Sequence, residues 1–194
     1  AIGKIPIHPE ELGIDFLSAS AHKFHGPKGV GFLYASSADF DSYLHGGDQE
    51  LKKRAGTENL AAIVGMVAAL KEDLNDQVEH YQKLSALKAT FLEEIADLDY
   101  YLNESNHQLP YVVNIGFPGQ KNDLLLLRLD LEGISISTGS ACTAGIVQTS
   151  HVLEAFYGPD SPRLKESVRI SLSPLNTEEE LKQLAQTLKN IIGD

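Results

Sequence analysis

The 194-residue chain carries 16 lysines and arginines against 27 aspartates and glutamates, a formal net charge of −11. This charge argues against a general nucleic-acid binder, because the neutralisation of phosphates requires a basic face. Hydrophobic residues make up 42% and charged residues 22%, a globular composition that excludes disorder and fibres. The single cysteine excludes a disulfide framework and a cysteine-based zinc site. Since no apolar run approaches the ~20 residues of a membrane span, we expect a cytoplasmic protein with no membrane partner.

The first half of the chain predicts two strands and a long helical stretch. Residues 15–19 and 29–34 have the composition of short buried strands on either side of a polar loop. Apolar residues recur at helical spacing over residues 58–98, with a predicted break at Asn75 and Asp76. The sequence predicts two apolar helix faces, one made of Ala61, Val64, Val67, Ala68 and Leu74 and the other of Val78, Tyr81, Leu84, Leu87, Phe91 and Ile95.

Shorter elements after residue 99 predict a two-layer α/β unit. A strand at 111–117 precedes a leucine-rich helix at 122–131, which Gly133 ends as a C′ glycine. Strands are predicted at 134–137 and 168–172. Thr177 and Glu180 form a capping box that begins the last helix. The residues of this helix that we expect to face inward are Leu181, Leu184, Leu188, Ile191 and Ile192.

The densest group of polar residues is SASAHKFHGPKGVG, at 18–31, between the first two predicted strands. Lys23 has Ser20 and His22 beside it, a set that can hold a phosphate or make Lys23 an amine nucleophile. A solvent-facing turn is the alternative. The spacing excludes a Walker loop, and His22 and His25 do not predict a metal site, because no carboxylate or cysteine accompanies them at ligand spacing.

Cys142 lies in a second cluster, STGSACTAG at 137–145, which consists of small residues after a predicted strand. We expect the loop at 138–149 to be exposed and mobile, the setting of a reactive cysteine, and an accidental surface cysteine is the alternative. Arg169, in the predicted strand SVRISL, either pairs with a carboxylate or extends its head to solvent. The basic turn RAGT at 54–57 could contact a phosphate.

Together these segments resemble cysteine desulfurases of the NifS/IscS type, in the class-V aminotransferase branch of the fold-type I pyridoxal-phosphate enzymes. The lysine segment, the HGG…RAGTEN loop at 45–59, the cysteine segment and SVRISL come in the family's order. The resemblance implies an α/β fold, with residues 1–78 as the end of the large cofactor-binding domain and 79–194 as the small C-terminal domain. Because family members extend well beyond this chain at the N-terminus, it also implies a C-terminal fragment.

The resemblance implies roles for several residues. Lys23 would bind pyridoxal 5′-phosphate covalently, and Ser20 and His22 would contact its phosphate. Thr57 would reach the phosphate of the other subunit across a homodimer. Arg169 would hold the carboxylate of the substrate, L-cysteine. These roles require a cofactor that acts as the electron sink of the reaction.

The resemblance assigns Cys142 the transfer of sulfur. Its thiolate would take sulfur from L-cysteine as a persulfide while alanine leaves, and would pass it to an acceptor protein of scaffold or thiouridylase type. Iron–sulfur cluster assembly or tRNA thiolation would use that sulfur. A selenocysteine lyase and a class-V aminotransferase are alternatives, although an aminotransferase does not need a cysteine in a flexible loop. A folded fragment that acts only in dimerisation or docking is the non-enzymatic alternative.

Overall fold

The computed structural model describes residues 1–105, 107–139 and 149–193. The chain forms two compact units, Ala1–Glu79 and His80–Asp194. Within the described ranges, no helix is long and apolar enough to cross a membrane. Residues 140–148, which include Cys142 and most of the loop expected to be mobile, lie outside the described residues.

The first unit contains an antiparallel pair of strands, β1 (Phe16–Ser20) and β2 (Gly31–Ala35). Their register places Ser20 opposite Gly31. A β-carbon at Gly31 would lie 2.2 Å from the carbonyl oxygen of Ala19, so this close approach of the strands requires glycine. The two strands confirm the predicted pair, but they are not buried: their residues alternate between exposed and half-buried, as in a sheet with one covered face.

The helical stretch divides where the sequence predicted. Helix α1 (Leu60–Asn75) ends before Asp76, and α2 (Gln77–Glu94) begins after it. The apolar face predicted for α1 does not pack inward: Ala61, Val64, Val67, Ala68 and Leu74 are all exposed. The residues of α1 that pack inward are Ile63, Met66, Ala69 and Leu70, around the buried Ala21 and Phe24. Two apolar stripes run along α1, and periodicity alone does not distinguish them.

Helix α2 packs on the core of the second unit. Leu84, Leu87, Phe91 and Ile95 are buried there, as expected. Val78 and Tyr81 are exposed instead. The predicted face of α2 therefore packs in its C-terminal part but not in its first two turns.

A three-stranded antiparallel sheet forms the second unit, in the order β3 (Tyr101–Leu102), β4 (Val112–Gly116), β5 (Ser167–Ser171). Val113 and Ile115 of β4 and Val168 and Ile170 of β5 face the helices that cover this sheet. The helices of this core are α2, α3 (Asn122–Leu131) and α6 (Glu178–Gly193). Two short helices, α4 (His151–Tyr157) and α5 (Arg163–Glu166), precede β5 and were not predicted from the sequence.

The ends of the helices follow the predicted capping residues. Gly133 has a φ of 76°, and the amide of Ile134 donates to the carbonyl of Leu129 at 2.9 Å, which completes a Schellman motif. Thr177 and Glu180 form the predicted capping box, each side chain accepting the other's backbone N–H, at 3.1 and 3.2 Å. In α6, Leu181, Leu184, Leu188 and Ile191 are buried and Ile192 is half-buried.

The predicted strand at 134–137 is wrong. Ser137 forms a single bridge with Arg169, in which each residue's N–H donates to the other's carbonyl, at 3.1 and 2.7 Å. The Schellman motif at Gly133 includes Ile134, the first residue of that predicted strand. Among the described residues 134–139, only Ser137 pairs with β5.

Candidate functional site

The lysine segment forms the connection between β1 and β2. A short 3₁₀-helix, Ala21–Phe24, follows directly from Ser20 at the end of β1. Ser20, His22 and Lys23 are exposed, whereas Ala21 and Phe24 are buried. The turn therefore presents a hydroxyl, an imidazole and a primary amine to solvent on one short stretch of backbone.

Two buried residues and the backbone fix this turn. The ring of Phe24 lies against that of Phe32 in β2, with a centroid distance of 6.4 Å. The amide of Ala21 donates to the carbonyl of Val30 at 2.9 Å, and the amide of Gly26 donates to the carbonyl of Ala21 at 2.9 Å. A β-carbon at Gly26 would lie 2.9 Å from that of Ala21. Lys23 thus stands on a turn held at both ends.

Two charged residues of the first unit, Lys4 and Asp73, interact with residues of the turn. The pKa of the Lys4 ammonium is lowered, mainly by burial, with the positive charge of Lys23 as a further cause and the negative charge of Asp73 opposing it. The carboxylate of Asp73 also lies 2.9 Å from Nδ1 of His25. Lys4 is therefore within electrostatic reach of both Lys23 and Asp73, and Asp73 contacts the turn through His25.

Thr57 lies on the irregular loop that precedes α1. The loop is tied by a bridge between Leu44 and Arg54 and by the amide of Gly56, which donates to the side chain of Gln49 at 3.0 Å. Asn59 caps α1 and accepts from the amide of Ala62 at 3.3 Å. Thr57 is exposed, and among the described residues its side chain makes no hydrogen bond with Ser20, His22 or Lys23.

Arg169 lies on the face of the second unit's sheet that points away from the helices. Its neighbour across the strands is Asn114, and its Nη1 donates to the carbonyl oxygen of Gly139 at 3.3 Å. Gly139 is three residues before Cys142 in the sequence. The guanidinium is therefore anchored to the backbone of the first residues of the cysteine segment, of which residues 140–145 lie outside the described residues.

The sequence did not single out the polar residues around Arg169 or Asp73, the acid that contacts His25. Asn114 accepts from the side chain of Asn103 at 2.8 Å, and its polar character within the apolar run VVNIG was the available signal. Asp73 is buried at a position of α1 where the spacing of Met66 and Leu70 calls for an apolar residue. A charged residue at an apolar position of the helix was the signal in the sequence that could have identified Asp73.

Comparisons with known proteins identify the family. Residues 1–184 match the model of the class-V aminotransferases. The chain belongs to the class-V aminotransferase family. Its class-V relatives include a Bacillus subtilis protein named "Putative cysteine desulfurase IscS 1", 43% identical over 99% of this chain and 52% of the relative. Cysteine desulfurase IscS of Dictyoglomus turgidum is 40% identical, over 98% of this chain and 49% of its own length.

Solved structures share the fold of this chain. A NifS-like protein superposes with a TM-score of 0.87 and 32% identity, over 100% of this chain and 50% of the other. The recognition of the family and of its α/β fold from the sequence is therefore confirmed. The chain spans about half the length of the curated relatives that it matches.

The exposed groups on the lysine turn fit the cofactor of this family, pyridoxal phosphate. A primary amine condenses with an aldehyde, and a hydroxyl and an imidazole are suited to hold a phosphate. Ser20, His22 and Lys23 supply these groups side by side, on a turn that buried residues hold in place. The chemistry of these three side chains is therefore appropriate for that cofactor.

Proposed function

We propose that the protein is a cysteine desulfurase, which removes sulfur from L-cysteine, releases L-alanine and carries the sulfur as a persulfide. The observation that carries the proposal is the exposed Lys23 with Ser20 and His22 on one fixed turn. Two relatives that bear this name and align with nearly all of the chain support it. When bound, pyridoxal phosphate supplies the electron sink that makes the carbon–sulfur bond of cysteine labile.

We assign the residues of the lysine turn to cofactor binding and proton transfer. Lys23 Nζ would hold the cofactor through its aldehyde carbon and then accept and return a proton at the substrate's α-carbon. Ser20 Oγ and a ring N–H of His22 would donate to phosphate oxygens. Thr57 Oγ1 would donate to the phosphate held by a second copy of the chain in a homodimer.

We assign Arg169 to the substrate. A guanidinium binds a carboxylate through two parallel N–H donors, and Arg169 is half-buried in β5, where the Gly139 carbonyl orients it. Its hydrogen bond to Gly139, three residues before Cys142 in the sequence, suits a residue that holds the amino acid whose sulfur Cys142 would take. In this proposal the Cys142 thiolate attacks the substrate sulfur, and the released carbon fragment is protonated to alanine.

We extend the proposal to the partner that receives the sulfur and to the compartment in which the reaction takes place. The persulfide of Cys142 would be passed to a sulfur-acceptor protein, of the scaffold or thiouridylase type, in iron–sulfur cluster assembly or tRNA thiolation. We place this reaction in the cytoplasm, where a single reduced thiol persists. Residues 1–78 would be the end of the cofactor-binding domain and 79–194 the small domain.

Product analysis tests the proposal. The protein expressed from its complete natural gene, loaded with pyridoxal phosphate, should release alanine and sulfide from L-cysteine in equal amounts when a thiol reductant is present. Release of alanine from selenocysteine alone would indicate a selenocysteine lyase, and amino-group transfer to a keto acid would indicate an aminotransferase. If the protein bound no cofactor, the proposed enzyme activity would be contradicted. The remaining interpretation would be a module for dimerisation or docking.

A further inference from the structure

The end of the lysine turn has an unfavourable backbone conformation. His25, two residues after Lys23, has φ 65° and ψ 7°, in the left-handed region. Its N–H still donates to the carbonyl of Ala21, which closes the turn. A residue with a β-carbon is disfavoured in this region, although histidine, asparagine and aspartate enter it more often than others. Such a conformation persists where the surroundings hold it.

The side chain of His25 is held by an acid from a distant helix. Its Nδ1 lies 2.9 Å from Oδ1 of Asp73, across 48 residues of sequence. The Asp73 side chain is 9% exposed, against 63% for His25. With a carboxylate as the acceptor, Nδ1 is the nitrogen that carries the proton.

Asp73 occupies a position that neither helix formation nor packing favours. It lies in the last turn of α1, where the negative end of the helix dipole opposes a carboxylate. A buried carboxylate also requires compensating partners. A β-carbon at Gly3 would lie 2.8 Å from Asp73 Oδ2, so the N-terminal segment closes over the acid, and Lys4 is within its electrostatic reach.

We propose that Asp73 and His25 are positioning residues for Lys23: the pair ties the end of the lysine turn to α1 and thereby sets where Nζ stands. The inference rests on the proposed function, because that function assigns the lysine turn to cofactor binding. The buried acid is the fixed partner, and the exposed imidazole is the connection to the turn. Ser20, at the end of β1, precedes Lys23 in the chain, and His25 follows it. The turn is therefore held by β1 before the lysine and, through His25 and Asp73, by α1 after it.

Four substitutions test the hydrogen bond between His25 and Asp73. They separate its effect from that of the backbone conformation at residue 25 and from that of losing an acidic side chain on α1. His25→Gly keeps the left-handed conformation and removes the imidazole. His25→Asn tolerates the same conformation and restores a side-chain N–H donor. Asp73→Ala removes the acceptor, and Glu72→Ala, at the exposed neighbouring position, is its matched control.

The experiment measures where the cofactor attaches. The protein from the complete natural gene is incubated with limiting pyridoxal phosphate, reduced with borohydride and mapped by mass spectrometry, and thermal melting is recorded for each variant. We expect His25→Gly and Asp73→Ala to lower the fraction of cofactor trapped on Lys23 about tenfold, the order expected for one charge-assisted hydrogen bond. His25→Asn and Glu72→Ala should keep the wild-type fraction.

The outcomes distinguish this inference from the proposed function. If the wild-type protein traps no cofactor on Lys23, the proposed function fails and this inference fails with it. If the wild-type protein traps it there and folded His25→Gly traps it equally, only the positioning role is overturned. If His25→Gly and Asp73→Ala both unfold, the pair supports the whole unit rather than the turn, and the positioning role is overturned as well.

Discussion

Arg169 donates a hydrogen bond from Nη1 to the carbonyl oxygen of Gly139, 3.3 Å away, and its backbone exchanges two hydrogen bonds with Ser137. A segment of small residues is thereby fastened to β5 just before residue 140. The guanidinium is oriented by backbone groups rather than by an acid in these contacts. An arginine held in this way keeps its positive charge available to an anion, because a carbonyl oxygen does not neutralise it.

We expect Arg169→Ala to weaken the capture of cysteine. Loss of a bidentate contact between guanidinium and carboxylate should remove about 1.5–3 kcal/mol of binding free energy, the range for a charged hydrogen bond. Steady-state kinetics of the protein from the complete gene should show KM for cysteine raised tenfold or more. Arg169→Lys, which retains the charge and loses the fork of donors, should recover only part of this. An unchanged KM in Arg169→Ala would remove the residue from the site.

Lys23→Ala should abolish the covalent attachment of pyridoxal phosphate and leave the fold intact. Lys23 is exposed on its turn, and substitutions at such positions change stability by about 0.5 kcal/mol or less. Lys28→Ala, at another exposed lysine of the same connection, is the control and should bind the cofactor normally. The visible absorbance of the protein–cofactor adduct and a thermal melt check both points. Persistence of the absorbance in Lys23→Ala would mean that another amine is the attachment point.

The local signals in the sequence were sufficient for the elements with strong caps. Gly133 and the capping box of Thr177 and Glu180 end or begin helices where predicted, because these motifs act through neighbouring backbone groups. The inward face of α1 was not predictable, because apolar residues occur on both sides of the helix. Which stripe packs depends on Phe24 and Ala21, which are distant in sequence.

The candidate site also contains residues that the local sequence could identify and contacts that it could not. The group of Ser20, His22 and Lys23 is local and could be found from its polar cluster between strands. The pairing of His25 with Asp73 spans 48 residues, and the bridge from Ser137 to Arg169 joins two segments that the sequence predicted as separate strands. Contacts of this kind are set by tertiary packing, which no local pattern encodes.

Cys142→Ser should retain cofactor binding and lose sulfur transfer. A serine hydroxyl is a far poorer nucleophile than a thiolate at neutral pH. Because Cys142 is the single cysteine of the 194-residue chain, alkylation of this chain with iodoacetamide reports on this residue alone. The small residues around it in the sequence predict fast modification of the native protein. A thiol that reacts only after denaturation is buried, and the sulfur-carrier role would then be untenable.

Thr177→Ala should destabilise the second unit by about 1 kcal/mol, the usual effect of losing an N-cap side chain. Thr177 Oγ1 accepts from the amide of Glu180 at 3.2 Å, and alanine leaves that donor without its partner. Thr187→Ala, inside α6, is the matched control and should not destabilise, since alanine has the higher helix propensity. Urea unfolding measures both variants. Equal stability of Thr177→Ala and the wild-type protein would contradict a role for the capping box.

Tyr101 should make the second unit less stable at alkaline pH. Its pKa is raised from 10.0 to about 12, mainly by burial and further by the hydrogen bond to Glu166, whose Oε2 accepts from the hydroxyl at 3.0 Å. Below pH 10 both folded and unfolded chains hold the proton. Between pH 10 and about 12 the unfolded chain has released it and the folded chain has not, so the free energy of unfolding falls as pH rises.

Urea midpoints over this range should fall less steeply in Tyr101→Phe than in the wild-type protein, whereas Tyr100→Phe should keep the wild-type slope. Identical slopes in Tyr101→Phe and the wild-type protein would show that the tyrosine titrates alike in both states.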